Sequence, residues 1–518
     1  MLQFLTNGWF FVQKKLDSTP MYRTVSIGLA VLVLYAMTLG FWGALPYSGF
    51  EQLFSLSTAL ATAFFVNTLF STLWRVPVNT ESAVITALII FFLIIPAELA
   101  SGGWWLIVAA TTLAMASKFL IAWRGQHLLN PAATGTLLLV VIFAIFPLEG
   151  YFEATWWVGQ RELLIPLLLV GVAVVAKVRK WVPVSLFIVV SLLVYLFEDW
   201  RILGAVTESS FTNWLSGPSL FLAFFMLTEP FTMPPTKPLQ AGYGAVVGFI
   251  SQTTLFSLLG VKMSPELVLL LGNMLAYPFT LRRKLRLPLL EKHAVADNTY
   301  EFVFAKPADF TFKAGQYLEW MLPHNGADNR GIRRYFTIAS APSNDTIRLC
   351  VRFAPAMSSF KRALRNLKLG EAIIASQLAG DFTLPKDATG KIACVAGGIG
   401  ITPFMSHLEE MEHAGVTYDT TLFYCSNITT EIAYKDRFDE LAKRLPLTVV
   451  HVLAKEQLDG YETGFLTTDI IRRRAPDFLA RDWYLSGPPS MVNSYKKLLR
   501  GLGVPGNRIV CDFFSGLV

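Results

Sequence analysis

Ten apolar segments fill the first 281 residues, and they constrain this chain more than any other feature. They run at roughly 24–43, 52–72, 82–98, 103–123, 129–147, 162–178, 181–198, 212–228, 240–260 and 264–281. Most have the length needed to cross about 30 Å of hydrocarbon. The third is short, with Pro96 and Glu98 at its end. A single soluble core would not need so many runs of this length. From Arg282 onward, charged and apolar residues interleave as in an ordinary soluble domain. The expected architecture is a membrane α-helical bundle of about ten spans over residues 1–286, followed by a soluble module.

An even number of spans places both termini on one side, and the charges choose the side. One set of loops holds Lys14, Lys15, Arg23, Arg75, Arg124, Lys177, Arg179, Lys180, Lys237 and the Arg282–Arg286 cluster. The other holds Arg161, Arg201 and Lys262 among seven carboxylates, from Glu51 to Glu208. Cytoplasmic loops collect Lys and Arg, so both termini and the soluble module are expected in the cytoplasm of a multi-pass inner-membrane protein. The net charge of +7 is thus a signal for membrane lipid. No basic face with interleaved aromatics marks a nucleic-acid partner. No basic stretch followed by a small-residue cleavage site opens the chain, and Leu2–Lys15 reads as an amphipathic interfacial segment.

The four cysteines, Cys350, Cys394, Cys425 and Cys511, fit neither a zinc nor an iron–sulfur spacing. They read as reduced thiols. His127 is the one histidine of the apolar half, so a bis-histidine haem is excluded and His127 reads as an interfacial polar residue.

Two stretches of the apolar half are polar for their position: Ser117–Gly135 and Phe224–Pro238. Irregular backbone at membrane depth is tolerated where it is buried in protein or lines a cavity. Part of each is helix punctuation, since Asn130 before Pro131 makes an N-cap and a first-turn proline. The NPAA run with upstream Lys118, and the TEPFTMPPT run followed by AGYGAVVG, resemble the B subunit of the sodium-pumping NADH:quinone reductase and the D subunit of the Rnf complex. The resemblance covers about the first 280 residues. It points to Lys118, Asn130, Pro131, Thr228, Glu229 and Thr232 as membrane cofactor candidates, with Glu229 where the family carries Asp. It also implies FMN esterified to a threonine in an extracytoplasmic SGAT-like loop. Here that loop reads EGYFEAT and the matching residue is Thr155. Phe152 and Glu153 replace small residues and obstruct close approach. The competing reading is an ordinary interfacial loop, with Trp156 and Trp157 in the aromatic belt.

The soluble half begins with short alternating β-stretches: TYEFVFA, QYLEWML, RRYFTIAS and TIRLCVRF. This predicts an antiparallel β-barrel over 287–388. After residue 389, KIACVA, GGIGITP and FMSHLEEMEHA read as strand, glycine turn and helix, predicting an α/β nucleotide-binding domain over 389–518. The turn places Gly397, Gly398 and Gly400 where backbone can approach a pyrophosphate.

These elements resemble the ferredoxin–NADP⁺ reductase superfamily. The resemblance implies that Arg334 of RRYFT pairs with the FAD pyrophosphate, with Tyr335 alongside. Phe336 packs on the flavin and Thr337 lies near its N5. Gln316 and Tyr317 belong to the preceding strand, and Ser340, Ser358 and Ser359 complete the FAD side. On the nucleotide side, Thr402 and Pro403 follow the glycines, and Ser426 and Asn427 end the next strand. LSGPPSM supplies Ser486, Gly487, Pro488 and Met491. Ser486 stands where the family has cysteine near the nicotinamide. Asp512, Phe513 and Phe514 take the place of the terminal acidic–aromatic element. The catalytic assignment falls on Thr337, Ser486 and Asp512. Asn427, where NADP-preferring members often carry Arg, favours NADH over NADPH.

The expected activity is hydride transfer from NADH to FAD, then electron delivery to quinone, a membrane flavin or a periplasmic FMN-carrying protein, with ion translocation as a variant. No iron–sulfur relay follows. The competing function is a transporter or channel gated by a redox-sensing reductase domain.

Overall fold

The computed structural model describes residues 19–74, 78, 80–98, 100, 102–123, 126–146, 152–256, 263–279, 284–328, 331–355, 357–385 and 390–512. The amphipathic reading of Leu2–Lys15 and the roles given to Phe513 and Phe514 lie outside them. The chain divides into two compact units, Met1–Arg283 and Lys284–Val518.

The first unit is helical. Its elements are α1 (Met21–Phe41), α2 (Gly49–Leu73), α3 (Thr80–Leu93), α4 (Trp104–Leu120), α5 (Pro131–Ile145), α6 (Leu164–Val178) and α7 (Trp181–Leu203). Then come α8 (Glu208–Leu215), α9 (Ser219–Phe221), α10 (Lys237–Gln252) and α11 (Pro265–Ala276). A two-residue ribbon, β1 (Ala122–Trp123) with β2 (Gln126–His127), joins α4 to α5. Local chemistry sets the starts. Ser48 caps α2 in a reciprocal box, its Oγ accepting from Glu51 N–H while Glu51 accepts from Ser48 N–H. Asn130 Oδ1 accepts from Ala133 N–H at 3.1 Å, and Pro131 opens α5.

Among the described residues α1, α2 and α7 are long and apolar enough to cross a membrane, while α3, α4 and α5 are shorter apolar helices. The segment expected at 212–228 is broken. Pro218 has no N–H to continue α8, and α9 passes into a buried π-helical turn, Leu222–Met226. The glycine-rich run packs α10 on α7. A Cβ on Gly244 would sit 2.2 Å from the Pro183 carbonyl, and one on Gly248 2.8 Å from that of Phe187. Small residues let helix backbones approach in this way. The expectation of Trp156 and Trp157 in an aromatic belt is corrected. They are 5% and 3% exposed, and Trp156 Nε1–H donates to Glu266 at 2.7 Å.

The second unit has two lobes. The first is an antiparallel sheet of β3 (Leu285–Ala296), β4 (Thr299–Ala305), β5 (Tyr317–Met321), β6 (Arg333–Thr337), β7 (Thr346–Arg352) and β8 (Ala372–Ala379), in the order β6-β5-β8-β3-β4-β7. The twelve-residue β3 pairs with β8 at its start and β4 further on. Helix α12 (Ser359–Arg365) lies between β7 and β8 in sequence. The second lobe is parallel: β9 (Lys391–Gly397), α13 (Thr402–Ala414), β10 (Asp419–Ser426), α14 (Lys435–Arg444), β11 (Leu447–Leu453), β12 (Glu462–Thr463), α15 (Thr468–Arg474), β13 (Asp482–Ser486), α16 (Pro489–Gly501) and β14 (Ile509–Asp512). Its strand order is β12-β11-β10-β9-β13-β14. Specific bonds join the lobes. Ser406 Oγ donates to the Ser340 carbonyl at 2.7 Å, and Tyr434 Oη to Glu301 at 2.6 Å. Arg348 pairs with Glu409.

Candidate active site

Strand β9 has β10, β11 and β12 on one side and β13 and β14 on the other. Open α/β sheets bind ligands beyond the carboxyl ends of strands at such a switch point. The register there sets Gly397 beside Cys425, Ala396 beside Ser486, and Ser486 beside Asp512. The glycine turn and the LSGPPSM turn touch through backbone. A Cβ on Gly400 would lie 2.5 Å from the Ser486 carbonyl oxygen and 2.7 Å from Gly487 Cα. Gly397 faces Met491 and Pro488 instead. Thr402 and Pro403 start α13, with Thr402 Oγ1 donating to the Ile399 carbonyl at 3.3 Å.

Beside this turn, Ser426 Oγ is buried with no partner among the described residues, and Asn427 Nδ2 donates to Glu431 at 2.9 Å. Glu431 also pairs with Arg352, whose NH1 lies 3.7 Å from the position of a Cβ on Gly398. A free hydroxyl, a glycine turn at a helix start and a guanidinium fit a dinucleotide with its phosphates.

The antiparallel lobe brings its own set together. Arg334 on β6 donates from NH2 to Asp328 at 3.1 Å and lies over the Phe360 ring, 5.4 Å from its centroid. Asp328 also accepts from Ser359 N–H at 2.9 Å, and Ser358 Oγ caps α12 through Lys361 N–H. Arg334 and Ser359 thus gather around one carboxylate, with Ser358 capping the helix next to them, an arrangement suited to a phosphate. Thr337 pairs across the sheet with Tyr317, whose ring meets Tyr335 edge-on at 5.8 Å. Burial, reinforced by the Asp512 and Asp381 carboxylates, raises the Tyr317 hydroxyl pKa, so it stays protonated. Tyr335 Oη donates to Gln377 Oε1 at 2.9 Å. Phe336 tilts against Phe360, with ring centroids 6.0 Å apart. Gln316 Oε1 accepts from Lys313 N–H at 2.8 Å. Ser340 is fully buried and accepts from Arg348 N–H, so it serves the lobe joint. The cysteines are free, and burial pushes Cys350 and Cys425 up to about 12.

In the helical unit the two polar stretches meet. Glu229 Oε1 lies 2.9 Å from His127 Nε2, and its Oε2 accepts from Asn130 Nδ2 at 2.8 Å and from Thr232 Oγ1 at 3.4 Å. Asn130 N–H donates to Asn273, which donates to Tyr243 Oη at 3.0 Å. Lys118 donates to Ser82 and Thr86 on α3. Thr228 bonds back to the Phe224 carbonyl at 2.9 Å. Thr155 Oγ1 donates to the Leu93 carbonyl at 3.2 Å.

Sequence reasoning missed Arg352, Glu431, Asp328 and Gln377 in one unit, and Asn273 and Tyr243 in the other. Each looks like an ordinary strand, loop or helix residue until the fold pairs it. His127, read as a lone interfacial residue, belongs to the Glu229 network.

Two family models match the chain: "NQR2, RnfD, RnfE family" over residues 157–279 and "Oxidoreductase NAD-binding domain" over 394–497. The reductase component of propane 2-monooxygenase from Rhodococcus jostii is 27% identical over 40% of this chain and 57% of its own length. A flavohemoprotein from Xylella fastidiosa is 28% identical over 39% of this chain and 51% of its own. The chain spans little more than half the length of these relatives. Among solved structures, a cytochrome P450 reductase from Amycolatopsis is 26% identical with a TM-score of 0.41, covering 45% of this chain and 70% of that one. The FAD/NAD-binding domain of nitric oxide dioxygenase from Vibrio cholerae is 21% identical, also with a TM-score of 0.41, covering 44% of this chain and 98% of that one. The chain therefore fuses a helical region similar to the NQR2, RnfD, RnfE family to an oxidoreductase module similar to NAD(P)H-dependent flavin reductases.

Proposed function

We propose that this protein is a membrane-bound, NAD(P)H-oxidising FAD enzyme that passes electrons into its helical half. The carrying observation is the switch point at β9 and β13, where the Gly397–Gly400 and Ser486–Pro488 turns meet in the same unit as Arg334. The domain limits are 1–286, 287–388 and 389–518. The antiparallel lobe is the FAD barrel, and ten spans hold both termini in the cytoplasm of an inner-membrane protein.

FAD accepts a hydride from the nicotinamide and can release its electrons singly. The chain supplies position and electrostatics. Arg334 with Ser358 and Ser359 holds one pyrophosphate, Asp328 giving way or rotating aside. The glycine turn, Arg352 and Ser426 hold the other dinucleotide. Thr337, Ser486 and Asp512 border the reacting rings and exclude water. Glu431 beside Asn427 disfavours a 2′-phosphate by charge repulsion, which selects NADH. The Glu229–His127–Asn130 network receives the redox group of the helical half, and quinone or a periplasmic flavoprotein is the final acceptor. FMN on Thr155 is disfavoured by the engagement of its hydroxyl with Leu93.

Purified full-length protein in detergent tests this reading by acid extraction of flavin. Stoichiometric FAD, lost in Arg334→Ala, is the expected result. Wild-type protein without FAD, or the variant with full FAD, contradicts it. On a denaturing gel, no flavin fluorescence is expected to stay with the band.

A further inference from the structure

Gln377 lies in β8 with a φ of +51°, in the left-handed region that side-chain-bearing residues rarely adopt. The strand register shows why it stands apart. Tyr317 pairs with Ala379 and Glu319 with Ser376, so β8 carries one residue more than β5 between these pairs. Such a bulge re-aims a side chain. A glycine would take this backbone without strain. Strained positions cluster at functional sites, where the surroundings hold them.

The amide is half used. Its Oε1 accepts from Tyr335 Oη at 2.9 Å, which fixes its direction. Its Nε2 is buried and donates to nothing among the described residues. Buried donors in folded proteins are nearly always paired. The bulge borders the two tyrosines of the FAD lobe. A Cβ on neighbouring Gly380 would lie 3.2 Å from the Tyr317 ring, which itself meets Tyr335 edge-on. An unpaired amide donor held by one of these tyrosines suits a flat heterocycle with acceptor atoms on its edge.

We propose that Gln377 Nε2 donates a hydrogen bond to a ring nitrogen or carbonyl oxygen of the isoalloxazine, making Gln377 a cofactor-binding residue of this reductase. The inference rests on the FAD reading above. The strained backbone delivers the amide, and Tyr335 orients it. A donor on the ring edge stabilises the electron-rich reduced ring more than the oxidised one, so Gln377 raises the flavin potential.

The test uses the full chain in detergent with added FAD. Gln377→Met removes the donor at similar volume, and Gln377→Gly removes the whole side chain while relieving the backbone. Both are expected to weaken FAD binding about tenfold, the size of one hydrogen bond. Both should also shift the visible bands of bound flavin and lower its midpoint potential. Gln377→Gly should melt no lower than wild type in the absence of FAD, which separates ligand contact from folding. Wild-type affinity and spectrum in both Gln377 variants overturn the inference and leave the FAD reading intact. Wild-type protein that takes up no FAD overturns both.

Discussion

At the scale of single residues, the reductase unit sets charges against burial. Arg334 bonds to the Gly331 and Arg333 carbonyls and to Asp328, and it stacks on Phe360. It is therefore pre-oriented rather than mobile. Each charge-assisted bond it makes to a phosphate is worth about 2 kcal/mol, so Arg334→Ala should lower FAD affinity roughly 30-fold; flavin fluorescence titration reads this. Glu431 lies between Arg352 and Asn427. Glu431→Gln should shift the kcat/KM ratio about tenfold toward NADPH. An unchanged ratio would remove Glu431 from the 2′ site. Buried His407 bonds the Phe382 carbonyl, and burial lowers its imidazole from 6.5 to about 4. Between these values the unfolded chain binds a proton that the folded chain refuses. Stability is thus complete above about pH 6.5 and falls as pH drops toward 4, by about 3 kcal/mol in all. Melting of the full chain over this range should steepen with His407 and flatten in His407→Gln.

At the scale of elements, the sequence showed where turns and strands lie better than what faces them. The strand–turn–helix order around Gly397 was legible because a buried β-run, a glycine turn and an amphipathic helix each have local signatures. RRYFT was legible for the same reason. The Asp328 carboxylate between Arg334 and Ser359 was not, because the contact joins a loop, a strand and a helix start across 31 residues of sequence. The bulge at Gln377 was also hidden, since Gln is not a residue that announces a positive φ. The segment at 212–228 misled for a different reason. Hydropathy does not see the break that Pro218 imposes. The two glycines of the turn make a contrast that tests the element. Gly400→Ala drives a Cβ into the Ser486 backbone, which cannot yield. Gly397→Ala meets the flexible end of Met491. NADH binding should fall at least tenfold in the first and much less in the second, as read by KM for NADH. Equal losses would mean that the two turns do not pack as described.

At the scale of the whole molecule, two compact units carry two kinds of polar site. The reductase unit brings two glycine-bearing turns together at the ends of parallel strands and sets Arg334 on β6. The helical unit holds half-buried Glu229 and His127 against buried Asn130 and Asn273 among apolar helices. Ionisable groups in such surroundings are expensive and mark function. Composition alone separated the halves, because the apolar runs stop where the charges begin to interleave. It could not show that residues 117–135 and 224–238 meet, because their contacts span about a hundred positions. The central claim is that NADH reduces FAD within this chain. Anaerobic titration of the purified, FAD-loaded protein with NADH, followed by visible absorbance, tests it most directly. Bleaching of the flavin by one equivalent of NADH is the predicted result. A flavin that stays oxidised in excess NADH would contradict the account.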